Sequence, residues 1–429
     1  MKPARRARTV FAVAAAVLAA AGLAWSQAAS RPAVRGVEWA GKGVWLRAEL
    51  HTHTRFSDGG HTVDEIAAAA VRHGCDVVAI TDHTDGNLKA ATPEYFTAIR
   101  DARLKYPSLT IVTGIEWNPP PGKGQEHANV FFPSGLEAQD RLAQFKERFD
   151  DYDKKGENPE LALDALRWLD ELAPKGLAPA VTLNHPSRRP HSTSAPRLTF
   201  EGLHRAAPRV VIGFEGGPGH QRQDPLGAYP AGTLVDRWDP FVAEVGGQWD
   251  QWLARGLDVW GASATADFHS EGNGDFWPCE FASTRLYAPD ASVDGVIRAL
   301  HAGSYFGEHG HIVDTVDLRV AAPGLAAPVI PGQRATVRQG TEITTSLSLE
   351  IPERDYMRRS NRVTQVELIG IADGKATVLF EGEPASPDAF SVPISVPPGG
   401  IVLRARGRRT VVGQPALTFY TNPIRIATR

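Results

Sequence analysis

The sequence lacks several features that mark other classes of protein. No repeat at a fixed period and no long low-complexity tract occur in its 429 residues, which argues against a repeat architecture and fits an ordinary globular protein. Beyond the first thirty residues, no apolar stretch reaches the length of a membrane span, so we expect no stable membrane insertion of the mature protein. A chain of this length fits one large α/β domain plus a smaller second domain.

Cysteine is also scarce, since only Cys75 and Cys279 are present. Cys75 lies just before a stretch that is typical of a buried strand, and we interpret both residues as thiols of the core. An exported protein could also form a disulfide, and the sequence leaves this pairing open.

The first thirty residues have the pattern of a secretory signal. They open with four basic residues, Lys2, Arg5, Arg6 and Arg8. An apolar stretch follows, and Ser26 and Ala28 place small residues where a signal peptidase reads them. We therefore predict a signal peptide over residues 1–28 and an exported protein, periplasmic or secreted. An uncleaved membrane anchor is the alternative, but the stretch is rich in alanine and short for a span of about 20 residues.

Loss of these four positive charges takes the formal net charge from −3 to about −7. A mature protein with this charge is disfavoured as a nucleic-acid scaffold or as a partner of an anionic membrane surface. We expect a small-molecule partner instead.

Residues 29–312 alternate between strand-like and helix-like stretches. Several of the seven predicted strands are continuous apolar runs, typical of parallel strands buried on both faces. The seven are Val44–Leu50, Val77–Thr81, Leu109–Glu116, Ala128–Phe132, Ala178–Asn184, Arg209–Glu215 and Leu257–Ala266. The predicted helices are one that follows a capping box at Thr62–Glu65 and ends at Gly74, then Leu161–Leu172 and Val293–Ala302. This alternation predicts a distorted seven-stranded (β/α) barrel.

Residues 313–429 have a different pattern, without helix signals. Short alternating runs predict strands, and Asp373-Gly374 between two of them is typical of a tight hairpin turn. We therefore predict a C-terminal β-sandwich domain. All fourteen histidines lie between His51 and His311, and we expect this domain to supply no metal ligand. Its role is interpreted as packing or partner contact, with carbohydrate or surface binding as the alternative.

Histidines and carboxylates recur where the predicted strands of the first domain end. His51 and His53 are two residues apart at the end of a strand, so both imidazoles lie on one face and reach the same ion. Other candidates that follow a strand in this way are His83, Glu116, His185, Asp267 and His269. His127 is the exception, because it precedes its strand. Barrel enzymes build their active sites at such strand ends.

This ordered set resembles the pattern of the polymerase-and-histidinol-phosphatase (PHP) superfamily of metal-dependent phosphoesterases. That pattern is H-x-H, an acidic residue in S-D-G, T-D-H, a glutamate, two isolated histidines and a final D-x-H, and all occur in this order across residues 49–270. The ending YTNPIRI and the C-terminal β domain are similar to the carbaryl hydrolase-like branch of metallohydrolases. The resemblance implies the PHP fold, a distorted seven-stranded barrel.

The resemblance also implies ligands for two or three divalent metal ions. The first ion would be held by His51, His53, Glu116 and Asp267. Glu116 would bridge to a second ion, completed by His127 and His185. The third ion, absent in a two-metal alternative, would be held by Asp58, His83 and His269. Mixed nitrogen and oxygen ligands suit Zn, Mn or Fe better than Ca or Mg alone.

The implied chemistry is hydrolysis by a hydroxide that bridges two cations, because metals lower the pKa of bound water. The cations also neutralise charge that develops on a phosphoryl or carbonyl oxygen. The candidate catalytic residues are therefore the bridging Glu116, together with Asp267 and His269, where Asp267 or a nearby imidazole exchanges a proton.

Two substrate classes stay open. A phosphoester needs cationic side chains beside the metals, and Arg55 and Arg188 closely follow candidate ligands. Glu215 and His220, in the segment GFEGGPGHQ, are further candidates to line the pocket. A carboxyl or carbamate ester with an aromatic leaving group needs an apolar pocket instead. The aromatic residues available for it are Trp117, Trp249, Trp252, Phe276 and Trp277.

We favour a phosphoesterase because of the breadth of reactions in the resembled family. The ester hydrolase and a non-catalytic metal-bearing binding module are the alternatives. His309 and His311 repeat the two-residue spacing, but no predicted strand precedes them and no carboxylate partner is evident. We interpret these two histidines as structural residues.

We predict a mature N-terminus near Ala29, because the basic residues, the apolar stretch and the small residues at Ser26 and Ala28 form a cleavage signal. N-terminal sequencing of protein taken from the cell envelope measures it. An intact Met1 on protein from the cytoplasm would contradict this prediction.

Overall fold

A computed structural model describes residues 33–84, 90–121, 126–150, 160–188, 200–385 and 388–429. The predicted signal peptide lies outside these residues and stays a prediction. Within the described ranges, no helix is both long enough and apolar enough to cross a membrane.

The described residues form nineteen strands and eight α-helices. The strands are β1 (Ala33–Arg35), β2 (Val44–Glu49), β3 (Val77–Ile80), β4 (Thr110–Trp117), β5 (Ala128–Phe131), β6 (Ala180–Leu183), β7 (Val211–Gly217), β8 (Trp260–Ala264), β9 (Ala282–Ala288), β10 (Tyr305–His309), β11 (Thr315–Ala321), β12 (Arg334–Val337), β13 (Glu342–Glu350), β14 (Gln365–Ala372), β15 (Lys375–Gly382), β16 (Asp388–Ser395), β17 (Ile401–Arg409), β18 (Leu417–Thr421) and β19 (Ile424–Thr428). The helices are α1 (Val63–Arg72), α2 (Pro93–Lys105), α3 (Gln139–Phe149), α4 (Glu160–Glu171), α5 (Phe200–Ala206), α6 (Pro240–Ala243), α7 (Gln248–Ala254) and α8 (Val293–Ala302).

Strands β2 to β8 lie side by side in chain order within one larger sheet. They are the seven strands that the sequence predicted. A closed barrel is not confirmed, because no strand ladder joins β8 to β2. At that seam a single bridge pairs Thr52 with Phe268, and His53 N–H donates to the Phe268 carbonyl at 2.8 Å.

One strand departs from the parallel pattern. Strands β2, β3 and β4 pair in parallel, as do β6, β7 and β8. Strand β5 is antiparallel to both of its neighbours, β4 and β6. Its first residues therefore lie at the edge where the neighbouring strands end.

Helix α1 begins at the predicted capping box. Thr62 Oγ1 accepts from Glu65 N–H at 3.2 Å, and a Glu65 carboxylate oxygen accepts from Thr62 N–H at 2.8 Å. Helices α4 and α8 were also predicted. The other five helices were not predicted, although Thr92 followed by Pro93 at the start of α2 is a typical helix beginning.

The C-terminal strands fall into two groups. A separate sheet has the order β11-β13-β16, while β12, β14, β15 and β17 to β19 belong to the large sheet. Buried apolar side chains of both groups join one core, which is compatible with the predicted sandwich. The predicted hairpin turn at Asp373-Gly374 joins β14 to β15, and both residues have positive φ.

The large sheet crosses the predicted domain boundary at 312/313, since β10 pairs with both β9 and β18. His309 ends β10, so the interpretation that no strand precedes it is wrong. Its ring is fully buried and lies against Trp238 and Phe281, as a core residue would.

The interpretation of the two cysteines as separate thiols is wrong as well. Cys75 and Cys279 form a disulfide across 204 residues of sequence. Cys75 follows α1, and Cys279 lies in the loop between β8 and β9. The bond therefore ties the loop after β8 to the end of α1.

A buried ion pair also joins the two halves of the chain. Arg404 of β17 donates to both carboxylate oxygens of Asp250 in α7, at 2.7 and 2.8 Å. Both side chains are almost completely buried, and the guanidinium lies over the ring of Trp249. Each partner compensates the burial of the other's charge.

We predict that Arg404→Ala lowers the free energy of unfolding by about 3–5 kcal/mol, because Asp250 would stay buried without its counter-ion. Urea denaturation of the purified variant measures the change. Arg334→Gln is the matched control, since Arg334 pairs with Asp258 at 2.6 Å while both side chains are over 40% exposed. The control should hardly move the midpoint. Equal, small effects of the two substitutions would contradict the prediction.

Candidate metal centre

The predicted ligands meet at one edge of the β2–β8 sheet. His51 and His53 directly follow β2, and His185 follows β6. Parallel strands bring their carboxyl ends to the same edge, which gathers side chains that are far apart in sequence. His127 lies there too, because the reversed β5 begins at this edge. This explains why His127 alone among the candidates precedes its strand.

A first cluster contains the H-x-H pair and two carboxylates. The Nε2 atoms of His51 and His53 lie 3.1 Å apart. Asp267 Oδ1 lies 3.1 Å from His51 Nε2 and 3.3 Å from His53 Nε2. The two oxygens of Glu116 lie 3.4 and 3.2 Å from the same two nitrogens. These atoms converge closely enough for one metal ion.

Glu116 also faces a second group of histidines. Its Oε1 lies 3.0 Å from His127 Nδ1 and 3.6 Å from His185 Nε2, while its Oε2 lies 3.1 Å from His83 Nε2. Asn184 Nδ2 donates to Oε1 at 2.7 Å. The buried Nε2 of His185 has no hydrogen-bond partner among the described residues, so its lone pair is suited to bind a metal ion. One carboxylate thus contacts both groups.

A third cluster surrounds Asp58. Its Oδ2 lies 3.3 Å from His269 Nε2 and 3.9 Å from His83 Nε2. Its Oδ1 lies 3.3 Å from His53 Nδ1. His83 therefore lies between the second and third clusters, whereas the sequence assigned it to the third alone. A Cβ on Gly59 would come within 2.4 Å of the His53 carbonyl, so glycine lets the S-D-G loop lie against His53.

Hydrogen bonds at the far side of the rings orient the ligand nitrogens. His51 Nδ1 lies 2.7 Å from Glu215 Oε1, and His269 Nδ1 lies 2.9 Å from the carbonyl of Asp267. When Nδ1 donates in these bonds, Nε2 keeps its lone pair and faces the clusters. Metal-binding histidines are commonly held in this way.

The electrostatics of the site fit cation binding. Burial alone would raise the pKa of Glu116, but His83, His127 and His51 hold it well below its usual range. Burial lowers the pKa of His83 to about 3 and that of His185 well below its usual value. Burial opposes a charge on His51 and His53 as well, but the carboxylates around them, Asp267 first, raise the pKa of both well above the usual value. The site therefore offers a charged carboxylate and two neutral imidazoles, whereas His51 and His53 would have to release a proton when an ion binds.

Sequence reasoning missed three buried carboxylates behind the ligands. Glu49 accepts from the backbone N–H groups of His51 and Ala266, both at 2.9 Å, and burial raises its pKa to about 8. Asp82 accepts from Thr54 N–H at 2.7 Å. Asp275 accepts from His269 N–H at 2.6 Å. Asp82 lies inside the T-D-H motif, so that motif was the available signal for it.

The candidate substrate residues have different surroundings. Glu215 contacts His51 Nδ1 and accepts from His185 N–H at 3.0 Å, so it holds two candidate metal ligands in position. His220 Nε2 lies 2.8 Å from Asp267 Oδ2. Arg188 Nη1 lies 3.7 Å from the same oxygen. Arg55 is exposed and its Nε donates to the Gly60 carbonyl at 2.8 Å, so its side chain stabilises the loop between Arg55 and Gly60.

The aromatic side chains proposed for an apolar pocket pack elsewhere. Trp117, Trp249 and Trp252 are buried in the core. Phe276 stacks on Phe281, and Trp277 stacks on Phe268. A cavity of about 220 Å³ does exist between β2, β9, β10 and β11, but its lining includes none of the predicted ligands.

The sequence family described as the PHP domain matches residues 49–165. The match covers the segment that includes His51, His53, Asp58, His83, Glu116 and His127. No curated protein matches the chain.

The solved structures that are similar to the chain include the following two. One is a two-domain protein from Bacteroides vulgatus containing a predicted PHP-like metal-dependent phosphoesterase, with 14% identity, a TM-score of 0.43 and coverage of 93% of this chain and 98% of that one. The other is an amidohydrolase from Chromobacterium violaceum with bound sulfate and no metal, with 15% identity, a TM-score of 0.30 and coverage of 54% and 90%. At these TM-scores neither likeness says what this chain does.

We predict that Glu116→Gln removes bound metal from both the first and the second cluster, and with it nearly all turnover. The substitution nearly keeps the volume but removes the one negative charge that both clusters share. His269→Ala should chiefly empty the third cluster. Metal analysis of the purified variants beside a hydrolysis assay separates these outcomes. Wild-type metal content and a near-normal rate in Glu116→Gln would contradict the bridging role.

Proposed function

We propose that this chain is a metal-dependent phosphoesterase acting on small phosphate esters or nucleotides. The observation that carries the proposal is the position of Glu116, whose two oxygens lie within 3.4 Å of His51, His53, His83 and His127, in the segment that matches the PHP domain. Such a shared carboxylate is suited to hold two cations close together. Zn, Mn and Fe match its mixed nitrogen and oxygen ligands.

The chain's own residues would divide the work. His51, His53 and Asp267 would hold one ion, and His127 and His185 would hold a second, with Glu116 as a ligand shared by the two groups. His83, Asp58 and His269 would hold a third. When bound, the cations would lower the pKa of a water and neutralise charge on the phosphoryl oxygens.

Arg188 is suited to bind the substrate phosphate. Its guanidinium lies beside the first cluster, 3.7 Å from Asp267 Oδ2, and only 13% of the side chain is exposed. A guanidinium can donate two parallel hydrogen bonds to a phosphate, which fixes the orientation of the group. Arg55 is not suited to this role because its Nε is bound to its own loop.

The alternative substrate class has less support. Hydrolysis of a carboxyl or carbamate ester with an aromatic leaving group needs an apolar wall near the ions. The aromatic residues available for that wall are buried in the core or stack on other aromatic rings. The narrower resemblance to carbaryl hydrolase-like metallohydrolases stays a prediction, as does the non-catalytic binding module.

Export to the periplasm or the exterior is also part of the proposal. It rests on the basic and apolar pattern of residues 1–28. The disulfide between Cys75 and Cys279 supports it, because disulfides persist in oxidising compartments and are rare in the cytosol.

Hydrolysis assays with Mn- and Zn-loaded mature protein test the proposal. The substrates should include phosphomonoesters, phosphodiesters, nucleotide bisphosphates and aryl carbamates. We expect turnover of at least one phosphoester class that is lost on metal removal and restored by metal. Turnover of the aryl carbamates alone would overturn the phosphoesterase assignment, and metal binding without any hydrolysis would favour the binding module.

Arg188→Gln should lower kcat/KM for the phosphoester by roughly 10- to 100-fold, since it removes a charged hydrogen-bond donor from the phosphate. Arg205→Gln is the control, because Arg205 pairs with Glu201 on the exposed face of α5. An unchanged rate in Arg188→Gln would contradict the phosphate-binding role.

A further inference from the structure

His220 lies between two buried carboxylates beside the first cluster. Its Nε2 is 2.8 Å from Asp267 Oδ2, and its Nδ1 is 2.5 Å from Asp275 Oδ1. Only 11% of the side chain is exposed. Ligand atoms of His220, His269 and Asp275 also lie close enough together to hold an ion. The contacts of 2.8 and 2.5 Å to the two carboxylates are nevertheless hydrogen-bond distances at both ring nitrogens, so we treat His220 as a hydrogen-bonding partner of Asp267 and Asp275.

The two oxygens of Asp267 face different surroundings. Oδ1 faces the Nε2 atoms of His51 and His53, at 3.1 and 3.3 Å. Oδ2 faces His220. A carboxylate that presents one oxygen to an ion can rotate, and the hydrogen bond from His220 resists that rotation. Outer hydrogen bonds of this kind orient ligating carboxylates and affect metal affinity.

The backbone is built to bring His220 to this position. The chain turns sharply after β7, and His220 has a φ of +55°, in the left-handed region that L side chains rarely adopt. His220 N–H donates to the Ala266 carbonyl at 3.1 Å. A Cβ on Gly219 would come within 2.1 Å of that carbonyl oxygen and 2.3 Å of Asp267 Cβ. Glycine is therefore required for the two segments to approach so closely.

Asp275 extends the contact to the third cluster. Its Oδ2 accepts from the backbone N–H groups of His269 and Ser270, at 2.6 and 2.9 Å. Its Oδ1 is bound by His220. The imidazole thus connects Asp267 of the first cluster with the loop that carries His269 of the third.

We propose that His220 is a positioning residue that fixes the orientation of Asp267 and, through Asp275, the loop of His269. The metal affinity of both clusters then depends on a side chain that belongs to neither of them. This inference rests on the metal binding proposed above, but it does not depend on the substrate.

Two substitutions in the mature protein test the proposal. His220→Ala removes both hydrogen bonds, whereas His220→Gln keeps a side-chain N–H that can donate to Asp267 Oδ2. We expect His220→Ala to weaken the tightest-bound Mn²⁺ roughly 10- to 100-fold. We expect His220→Gln to retain a clearly tighter affinity than the alanine variant. Competition with a chelating indicator gives the affinities, and metal analysis gives the number of bound ions.

Controls separate positioning from folding. The thermal midpoint of metal-free protein reports on folding alone, and His220→Gln should keep it near the wild-type value. His61→Gln is the matched control, because His61 pairs with Glu271 at 2.9 Å on the neighbouring loop surface. It should bind Mn²⁺ as the wild type does.

Wild-type Mn²⁺ affinity in His220→Ala would overturn the proposal. Equal losses in the glutamine and alanine variants, together with lowered midpoints, would also overturn it and indicate a purely structural role. If the alanine variant does not fold, the glutamine variant and its midpoint carry the test. A wild-type protein that binds Mn²⁺ tightly but hydrolyses no phosphoester contradicts the proposed activity and leaves the role of His220 intact.

Discussion

The arrangement at this edge of the sheet depends on the burial of one charge. Glu116 is 1% exposed, and a carboxylate deprived of its hydration is strongly disfavoured unless charged or hydrogen-bonding groups surround it. His51, His53, His83 and His127 lie within 3.4 Å of its two oxygens. These histidines come from three places, after β2, after β3 and before β5, so these strands must meet at one level around Glu116. A cation would compensate the buried negative charge of Glu116 directly. The surrounding imidazoles, when neutral, and the carboxylate would then bind the same cation.

A second layer of carboxylates keeps these histidines in place. Glu49, Asp82 and Asp275 each accept backbone N–H groups of the loops that carry ligands, while Glu215 binds one ligand ring and one ligand backbone. A buried carboxylate without hydrogen-bond partners would destabilise the fold. Because these carboxylates are hydrogen-bonded, they restrict the loops to one conformation. The site is therefore prepared for ions by the polypeptide, which lowers the reorganisation needed on binding.

The C-terminal strands contribute to the site indirectly. They extend the sheet through β10 and β18, and Arg404 anchors them to α7 through Asp250. The metal-ligand clusters found in the described residues draw no member from residues 313–429. These strands cover and brace the ligand-bearing half, and the disulfide restrains the loop after β8 from another side. Rigid surroundings matter here because ligand atoms must stay within a few tenths of an ångström of a productive geometry.

The sequence by itself determined the seven strands β2 to β8, three of the eight helices of the described residues and the ligand types. Apolar runs predicted all seven strands β2 to β8, the capping box predicted α1, and the ordered histidines and carboxylates predicted one shared site. These features depend on local periodicity and spacing, which a sequence displays directly. Only the tertiary structure decided the reversal of β5, which brings His127 to the site, and the pairing of Cys75 with Cys279. It also decided that Arg55 holds its own loop and that His220 joins Asp267 to Asp275. Such contacts join residues distant in sequence, and the packing of the whole chain selects them, so no local pattern encodes them.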